Sequence, residues 1–293
     1  MQNTLFEKFS LLSGEKYSLI KWVGGKKKLL KPITNLIAKN YSDDITYYEP
    51  FLGSGAIAFS CNFNRMVIGD KNRKLINFYE SIRENHKELF NSIINLCHQF
   101  NISENKLDFF NDIKRQFNLP TDLLRQSSMF WFLNKAGFNG MYRENGKGEY
   151  NIPFAQIKKL NNPDIDDFLH ISNILKGCIL KCGDYRSNCE GVKSKDIVYL
   201  DPPYIPISLT SSFTSYTNDD FALKDHKILK EFIEKISSNG VYVILSNSNS
   251  EKTREIYGNM SGFKIEEVDV TRLISGQNKG RGKIKELIIH NVV

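Results

Sequence analysis

Apolar residues in this chain form short unbroken runs toward both ends and a helical rhythm in the middle. Met66-Val67-Ile68, Ile197-Val198-Tyr199-Leu200 and Val241-Tyr242-Val243-Ile244-Leu245 have the length and character of strands buried on both faces. Ile45 to Phe51, Ile179 to Cys182, Phe263 to Val270 and Lys285 to Val292 predict four more strands. From residue 72 to about 135 the apolar positions recur every three or four residues (Leu75, Phe78, Tyr79, Ile82, then Leu89, Ile93, Leu96, then Leu123, Leu124, Phe130, Leu133), which predicts helix throughout. Leu29, Leu30, Ile33, Leu36 and Ile37 mark another amphipathic helix. Ile57 to Phe59 predicts a short helix, and about Asp219 to Ser237 a longer one. Residues 137 to 165 break the rhythm with Gly137, Gly140, Gly146, Gly148 and Pro153, and predict a loop or hairpin. Strands alternating with helices at both ends predict an α/β sheet, and the helical middle a second module inserted between its halves.

Chemistry concentrates where strands end. The run 197–200 stops abruptly at Asp201-Pro202-Pro203-Tyr204. Two prolines make a stiff turn with no N–H donors of its own. An acidic side chain, the Pro202 carbonyl and an aromatic ring then share a strand's carboxyl end, where open α/β sheets bind ligands. Two acceptors and a ring suit a flat base that carries an exocyclic amine. Glu49-Pro50-Phe51-Leu52-Gly53-Ser54-Gly55 forms a second strand-to-helix turn, whose glycines let the backbone approach a ligand closely. Asp70 closes the next strand, where an acidic side chain accepts ribose hydroxyls. The third glycine of a dinucleotide fingerprint is missing, because Phe59 and Ser60 stand there. A nucleoside without phosphates fits better than a dinucleotide.

Composition changes this picture little. The 293 residues allow one large domain or two smaller ones, and 41% hydrophobic with 25% charged residues describes a soluble globular protein. No apolar stretch nears the ~20 residues of a membrane helix. The amino-terminal residues lack a secretory pattern, so the expectation is a cytoplasmic protein without membrane contact. The net charge of +7 permits a polyanionic partner, and the lysines and arginines cluster at 26–31 and 279–285. Five cysteines without a CxxC pair and five scattered histidines predict no metal site.

With those residues placed, the chain resembles the DNA adenine-N6 methyltransferase (Dam) family, α group, from about Leu19 to Val292. Lys21-Trp22-Val23-Gly24-Gly25-Lys26 resembles that family's opening motif, Glu49 to Ala56 its S-adenosylmethionine loop, and Asp201 to Tyr204 its catalytic motif. Leu133 to Arg143 resembles its target-recognition stretch, and Ile205 to Tyr216 the loop after the catalytic motif. The resemblance implies a Rossmann-like S-adenosylmethionine-dependent methyltransferase sheet from residues 1–75 and 166–293. It also implies a mostly helical and hairpin DNA-recognition insert over 76–165. Its cofactor is S-adenosylmethionine, its product S-adenosylhomocysteine, its partner double-stranded DNA and its usual target GATC. Trp22, Gly24, Lys26, Glu49, Phe51, Gly53, Gly55, Asp70 and Asp201 fall on the cofactor motifs. Asp201, Pro202, Pro203 and Tyr204 fall on the catalytic motif; Asp201 and Pro202 match the groups that hold the adenine amine, and Tyr204 the ring that stacks on the base. On the DNA side, Arg143 matches a base-reading arginine, and Phe138 and Asn139 match residues that enter the duplex. Lys135, Met141 and Lys158 stand in or beside that stretch. Ser208, Thr210 and Ser211 in the polar loop, and Lys279 and Arg281 in a glycine-rich basic segment, are expected to meet phosphates. Two departures bear on phosphate contacts and outer-base selection. Ala155-Gln156 replaces the family's Gly-Arg, and Lys135-Ala136 replaces a frequent Arg-Tyr.

The chemistry expected is direct transfer to the amine of an extruded adenine, by a monomer, without a covalent intermediate. Cytosine-N4 methylation is the rival substrate, though a serine more often precedes Pro-Pro-Tyr there. A non-catalytic DNA-binding module on the same fold is the rival class, and the intact Asp201, Pro202, Tyr204 and Gly53-Ser54-Gly55 argue against it.

Overall fold

A computed structural model describes residues 18–22, 24, 28–61, 63–207, 221–271 and 283–293. Seven strands build one sheet: β1 (Tyr47–Glu49), β2 (Met66–Asp70), β3 (Cys178–Cys182), β4 (Ile197–Leu200), β5 (Tyr242–Ser248), β6 (Lys264–Thr271) and β7 (Lys283–His290). Their spatial order is β3-β2-β1-β4-β5-β7-β6. The first five run parallel, and β7 lies antiparallel between β5 and β6. The α-helices among the described residues are α1 (Leu30–Asn40), α2 (Arg73–Ile102), α3 (Lys106–Phe117), α4 (Leu123–Ala136), α5 (Ile165–Lys176), α6 (Tyr185–Asn188), α7 (Leu223–Ser238) and α8 (Glu251–Tyr257). None is long and apolar enough to cross a membrane.

The expected α/β sheet is therefore present, and its order positions the site. Every residue of β1 and β4 is buried, as the centre of a parallel sheet requires. These two strands are neighbours in space although about 150 residues separate them in the chain. Building outward from β1 proceeds one way and from β4 the other, so a crevice opens between their carboxyl ends. Glu49 and Asp201 are the residues that stand there.

Helices cover both faces. One apolar cluster joins Ile68, Tyr199 and Ile288 of the sheet to Leu75, Phe78, Phe130 and Phe132 of α2 and α4. The other joins Val198, Val243 and Leu245 to Leu229 and Ile233 of α7 and Ile256 of α8. Helix α4 is buried almost all round, from Ser127 through Asn134, which marks it as the central helix of the middle segment. It crosses α2 where Ser81 and Ser127 share a hydrogen bond of 2.7 Å, small residues that let the backbones approach.

The uninterrupted helix expected from 72 to 135 is three. Asn105 caps α3 by accepting the Leu107 and Asp108 N–H groups, and Asp122, two residues after Pro120, caps α4 by accepting that of Arg125. Side-chain capping at both sites satisfies the orphan donors of a new helix start, so the chain breaks rather than bends. Asn85 is also non-helical inside α2 (φ −141°, ψ 46°). The first strand is shorter than expected, because Pro50 has no N–H to continue the ladder. Residues 137–164 form an open loop tied by bridges Gly137 to Phe154 and Glu144 to Tyr150.

Candidate active site

The two strand-end turns face one cleft of about 2480 Å³. Its walls include Trp22, Glu49, Phe51, Gly53, Asp70, Lys135, Asn139, Tyr142, Arg143, Asp201, Pro202, Tyr204 and Glu286, so members of the sequence's cofactor, catalytic and recognition sets meet in one space, while Gly55, Phe138, Met141 and Lys158 do not line it. The volume exceeds the 300–1,000 Å³ of an ordinary small-molecule pocket, and leaves room for more than one flat ligand.

On the β1 side, the backbone turns sharply at Gly53 (φ +49°) and Gly55 (φ +67°). A Cβ on Gly55 would lie 2.1 Å from the Phe59 ring, and one on Gly53 would lie 2.7 Å from the Trp22 indole. Asp70 fastens this turn from the end of β2. Its Oδ2 accepts the Gly53 N–H at 3.0 Å and its Oδ1 accepts the Asn72 N–H at 2.9 Å. The Lys71 backbone N–H also bonds this carboxylate, and two oxygens with about four lone-pair sites still leave room for a ligand hydroxyl. Burial pushes the Asp70 carboxyl above its usual range, and those backbone N–H groups hold it down against burial. Glu49 is buried and accepts the Tyr47 hydroxyl at 2.8 Å. Phe51 stacks on Tyr185 (5.5 Å) and meets Phe221 edge-on (5.8 Å), forming an apolar wall beside the glycine turn.

On the β4 side, β5 and its neighbours hold the Asp-Pro-Pro-Tyr turn at almost every residue. Ser246 donates its hydroxyl to Asp201 Oδ1 at 2.8 Å and shares a hydrogen bond with the Tyr199 hydroxyl at 3.0 Å. His226 hydrogen-bonds the Pro203 carbonyl, and burial lowers that histidine to about 4, so it stays neutral. Asn247 Oδ1 accepts the Ile205 N–H (3.1 Å), and the Ser248 hydroxyl donates to the Ile205 carbonyl (2.5 Å). The Tyr204 hydroxyl donates to Glu286 Oε2 at 3.3 Å. Burial and the carboxylates of Asp201 and Glu286 raise the Tyr204 phenol well above its ordinary value, so it remains a donor. Pro202 is buried, and among the described residues no donor sits on its carbonyl.

A third set links cofactor turn to recognition stretch. Asn134 is 2% exposed. Its amide pairs with the Lys21 backbone in both directions, accepting N–H at 2.8 Å and donating to C=O at 2.7 Å, and donates to the Gly140 carbonyl at 3.0 Å. Gly140 leaves no room for a side chain, since a Cβ would sit 2.4 Å from Lys21 Cβ. The Trp131 indole N–H donates to Leu19 O at 3.0 Å. These contacts place Trp22 between Gly53 and Tyr142, on which it stacks at 5.9 Å and 19°.

Beyond that strut, Phe138 is 49% exposed, a large apolar ring held out of the core. Asn139 next to it is exposed and left-handed (φ +55°), and Gln156 is also left-handed (φ +56°). Arg143 is exposed and donates its Nε–H to Asn151 at 2.9 Å, while Met141 packs against the core. Lys135 is partly buried, its Nζ 5.5 Å from the Trp131 ring centre. Desolvation and the neighbouring Lys21 lower it to about 8, against the opposing pull of Asp167. Lys158 is exposed, away from these contacts. Gly24 is exposed and left-handed (φ +86°) on the cleft wall.

Lys26, Ser208, Thr210, Ser211, Lys279 and Arg281 lie outside the described residues. Burial raises the thiols of Cys61 and Cys189 to about 12. Among the described residues no cluster of three metal-ligating side chains forms. Sequence reasoning missed Ser246, Asn247, Ser248, His226, Glu286, Asn134 and the Tyr185–Phe221 wall. The first three had a signal: three polar residues continue a strand whose preceding residues are all apolar.

A family model described as D12 class N6 adenine-specific DNA methyltransferase matches residues 22–274. The Type II methyltransferase M1.LlaDCHI of Lactococcus lactis subsp. cremoris is 34% identical over 278 residues, covering 92% of this chain and 94% of that protein. The Type II methyltransferase M.MjaIII of Methanocaldococcus jannaschii is 34% identical, covering 93% of this chain and 98% of its own. A protein named DNA adenine methylase from Vibrio cholerae is 31% identical over 92% of this chain and 94% of its own length.

Proposed function

This chain belongs to the D12 class of N6 adenine-specific DNA methyltransferases, and on that premise we propose how its residues divide the work. Its reaction is methylation of adenine N6 in DNA. We read the methyl donor as S-adenosylmethionine, the substrate adenine as flipped out of the duplex, and the target as GATC. The observation that carries this reading is one cleft that holds both the Asp70-fastened glycine turn and the Asp201–Tyr204 turn, across the β1/β4 crevice.

The residues present fit the donor. Gly53 brings bare backbone to the cleft, Gly55 lets the turn pack on Phe59, Asp70 offers hydroxyl acceptors, and Phe51, Tyr185 and Trp22 supply apolar faces. When bound, S-adenosylmethionine supplies an electrophilic methyl carbon. Asp201 and the Pro202 carbonyl accept the two N6–H donors of adenine. That draws the nitrogen lone pair out of conjugation and stabilises the positive charge that develops on it. Tyr204 stacks on the extruded ring and returns part of the few kcal/mol lost on flipping, since a base–aromatic stack contributes about 1–3 kcal/mol. Phe138 fills the space left in the duplex, and Asn139, Met141 and Arg143 face the remaining bases. Residues 76–165 act as the recognition insert, and Lys135 and Lys158 meet phosphates. The working form is a monomer, which sedimentation with and without a short duplex tests.

A transfer assay with labelled donor tests the whole reading. Duplexes with GATC take up label as N6-methyladenine, and duplexes with that site scrambled do not. Label on cytosine, or equal label on both duplexes, overturns it.

Phosphate contacts give two expected results. Affinity for duplex falls by roughly 10³-fold between 50 and 200 mM salt, from counterion release. A flat response rejects extensive phosphate contact. Lys135, lowered to about 8 in the free protein, rises when a phosphate joins it, so binding takes up a proton. Affinity is therefore constant below pH 7 and falls by about tenfold by pH 9.5. Lys135→Met removes that segment of the pH profile; an unchanged profile in the variant removes Lys135 from the interface.

A further inference from the structure

Glu286 has no role in the chemistry so far, yet its placement is costly. It stands in β7 between Ser248 of β5 and Val268 of β6. It is 8% exposed, and the three residues that follow it, Leu287, Ile288 and Ile289, are fully buried and apolar. Burying a carboxylate in such a strand is unfavourable unless its oxygens are engaged. Two pairing partners, one on each side, fix its register, so it cannot slide out of the sheet. The carboxylate reaches the same cleft wall as Asp201 and Tyr204, and the Tyr204 hydroxyl donates to its Oε2 at 3.3 Å.

We propose that Glu286 is a positioning residue for methyl transfer: it anchors the Tyr204 hydroxyl and so sets the angle at which the ring receives the extruded base. A tyrosine ring turns about two side-chain bonds, and a fixed hydroxyl removes that freedom. The stack then holds N6 in line with the methyl donor, and misalignment of a reacting atom is costly in rate. The phenol keeps its proton next to two carboxylates, which makes it a donor in need of an acceptor. An acceptor is all this role requires; the negative charge is not.

The inference rests on the assignment of residues 201–204 to adenine binding, and single-turnover kinetics separate the two. Asp201→Ala at near wild-type rate defeats the assignment; a slow Asp201→Ala beside an undiminished Glu286→Ala defeats only the inference. Glu286→Ala lowers kcat by roughly 10- to 100-fold, with KM for duplex and donor within about twofold. Glu286→Gln keeps an acceptor oxygen and stays within about threefold of wild type. Tyr204→Phe falls at least as far as Glu286→Ala, since it also removes the hydroxyl's contact with Ser246, and adding Glu286→Ala to Tyr204→Phe lowers the rate no further, because the Glu286 contact is already gone. A Glu286→Gln as slow as Glu286→Ala overturns the proposal by showing that charge matters, and additive losses overturn it by showing no shared contact. Should Glu286→Ala fail to fold, Tyr204→Phe with Tyr204→Phe/Glu286→Gln completes the test. Equal rates for that pair, together with a near wild-type Glu286→Gln, support it; a slower double variant overturns it.

Discussion

Asp201→Ala abolishes methyl transfer while leaving duplex affinity within about threefold of wild type. The reason lies in what the carboxylate touches. Ser246 fixes Oδ1 from β5, so the side chain is oriented before substrate arrives. Preorganised acceptors of this kind are worth the most where charge develops, and losing one costs about 10²–10³ in kcat. On the proposed reading Asp201 is one of two acceptors offered to the N6 protons, so the loss falls at or beyond the upper end. Asp201→Asn separates geometry from charge, since it retains one oxygen in place of two. It is expected between wild type and Asp201→Ala. Duplex affinity persists because the proposed DNA contacts lie on other residues, among them the 135–158 segment. Turnover within tenfold of wild type by Asp201→Ala, measured with labelled donor, removes this residue from the chemistry.

Asp70→Ala produces the second large loss, in donor affinity. Two backbone N–H groups, of Gly53 and Asn72, lose their acceptor at once, and that of Lys71 with them. A hydrogen bond to a charged group contributes about 1.5–3 kcal/mol, and each unsatisfied buried donor adds a further penalty. The glycine turn loosens, and the hydroxyl acceptors disappear with it. A rise of roughly 100-fold or more in donor Kd follows, which calorimetry measures directly; about 2.8 kcal/mol corresponds to that factor. Asp70→Asn recovers little, because its amide turns a donor toward one of the two N–H groups. The pH dependence has a definite sign. Burial raises this carboxyl above its ordinary range, while donor binding wants it ionised. Donor affinity is therefore full at neutral pH and falls on acidification, beginning above the ordinary aspartate range. Unchanged donor affinity in Asp70→Ala rejects the role.

Strand ends were the most legible part of this chain in its sequence. Ile197 to Leu200 and Met66 to Ile68 are unbroken apolar runs, and each stops at an aspartate that lines the cleft. Local sequence suffices there, because a buried parallel strand and a proline or glycine turn are both local patterns. Helix α5 is also written locally, with Asp164 as its cap and Phe168, Ile171 and Leu175 on one face, and it follows directly on the predicted 137–165 loop, in a stretch to which the sequence reading assigns no element. The supports of the site were not local. Ser246 reaches Asp201 across 45 positions and Glu286 reaches Tyr204 across 82. Asn134 reaches Lys21 across 113. Sheet order brings the first two pairs together and the packing of α4 against the amino-terminal segment the third, and no periodicity in one chain encodes either.

Trp22 sits with one side against Gly53 and the other against Tyr142. On the proposed roles, the donor turn and the recognition segment thus touch one and the same indole. Transplanting residues 137–158 between relatives to redirect the target sequence has to preserve a glycine at 140 and a flat ring at 142. A graft that satisfies only the outward-facing residues trades a new target for a displaced indole, and the price appears at the donor end.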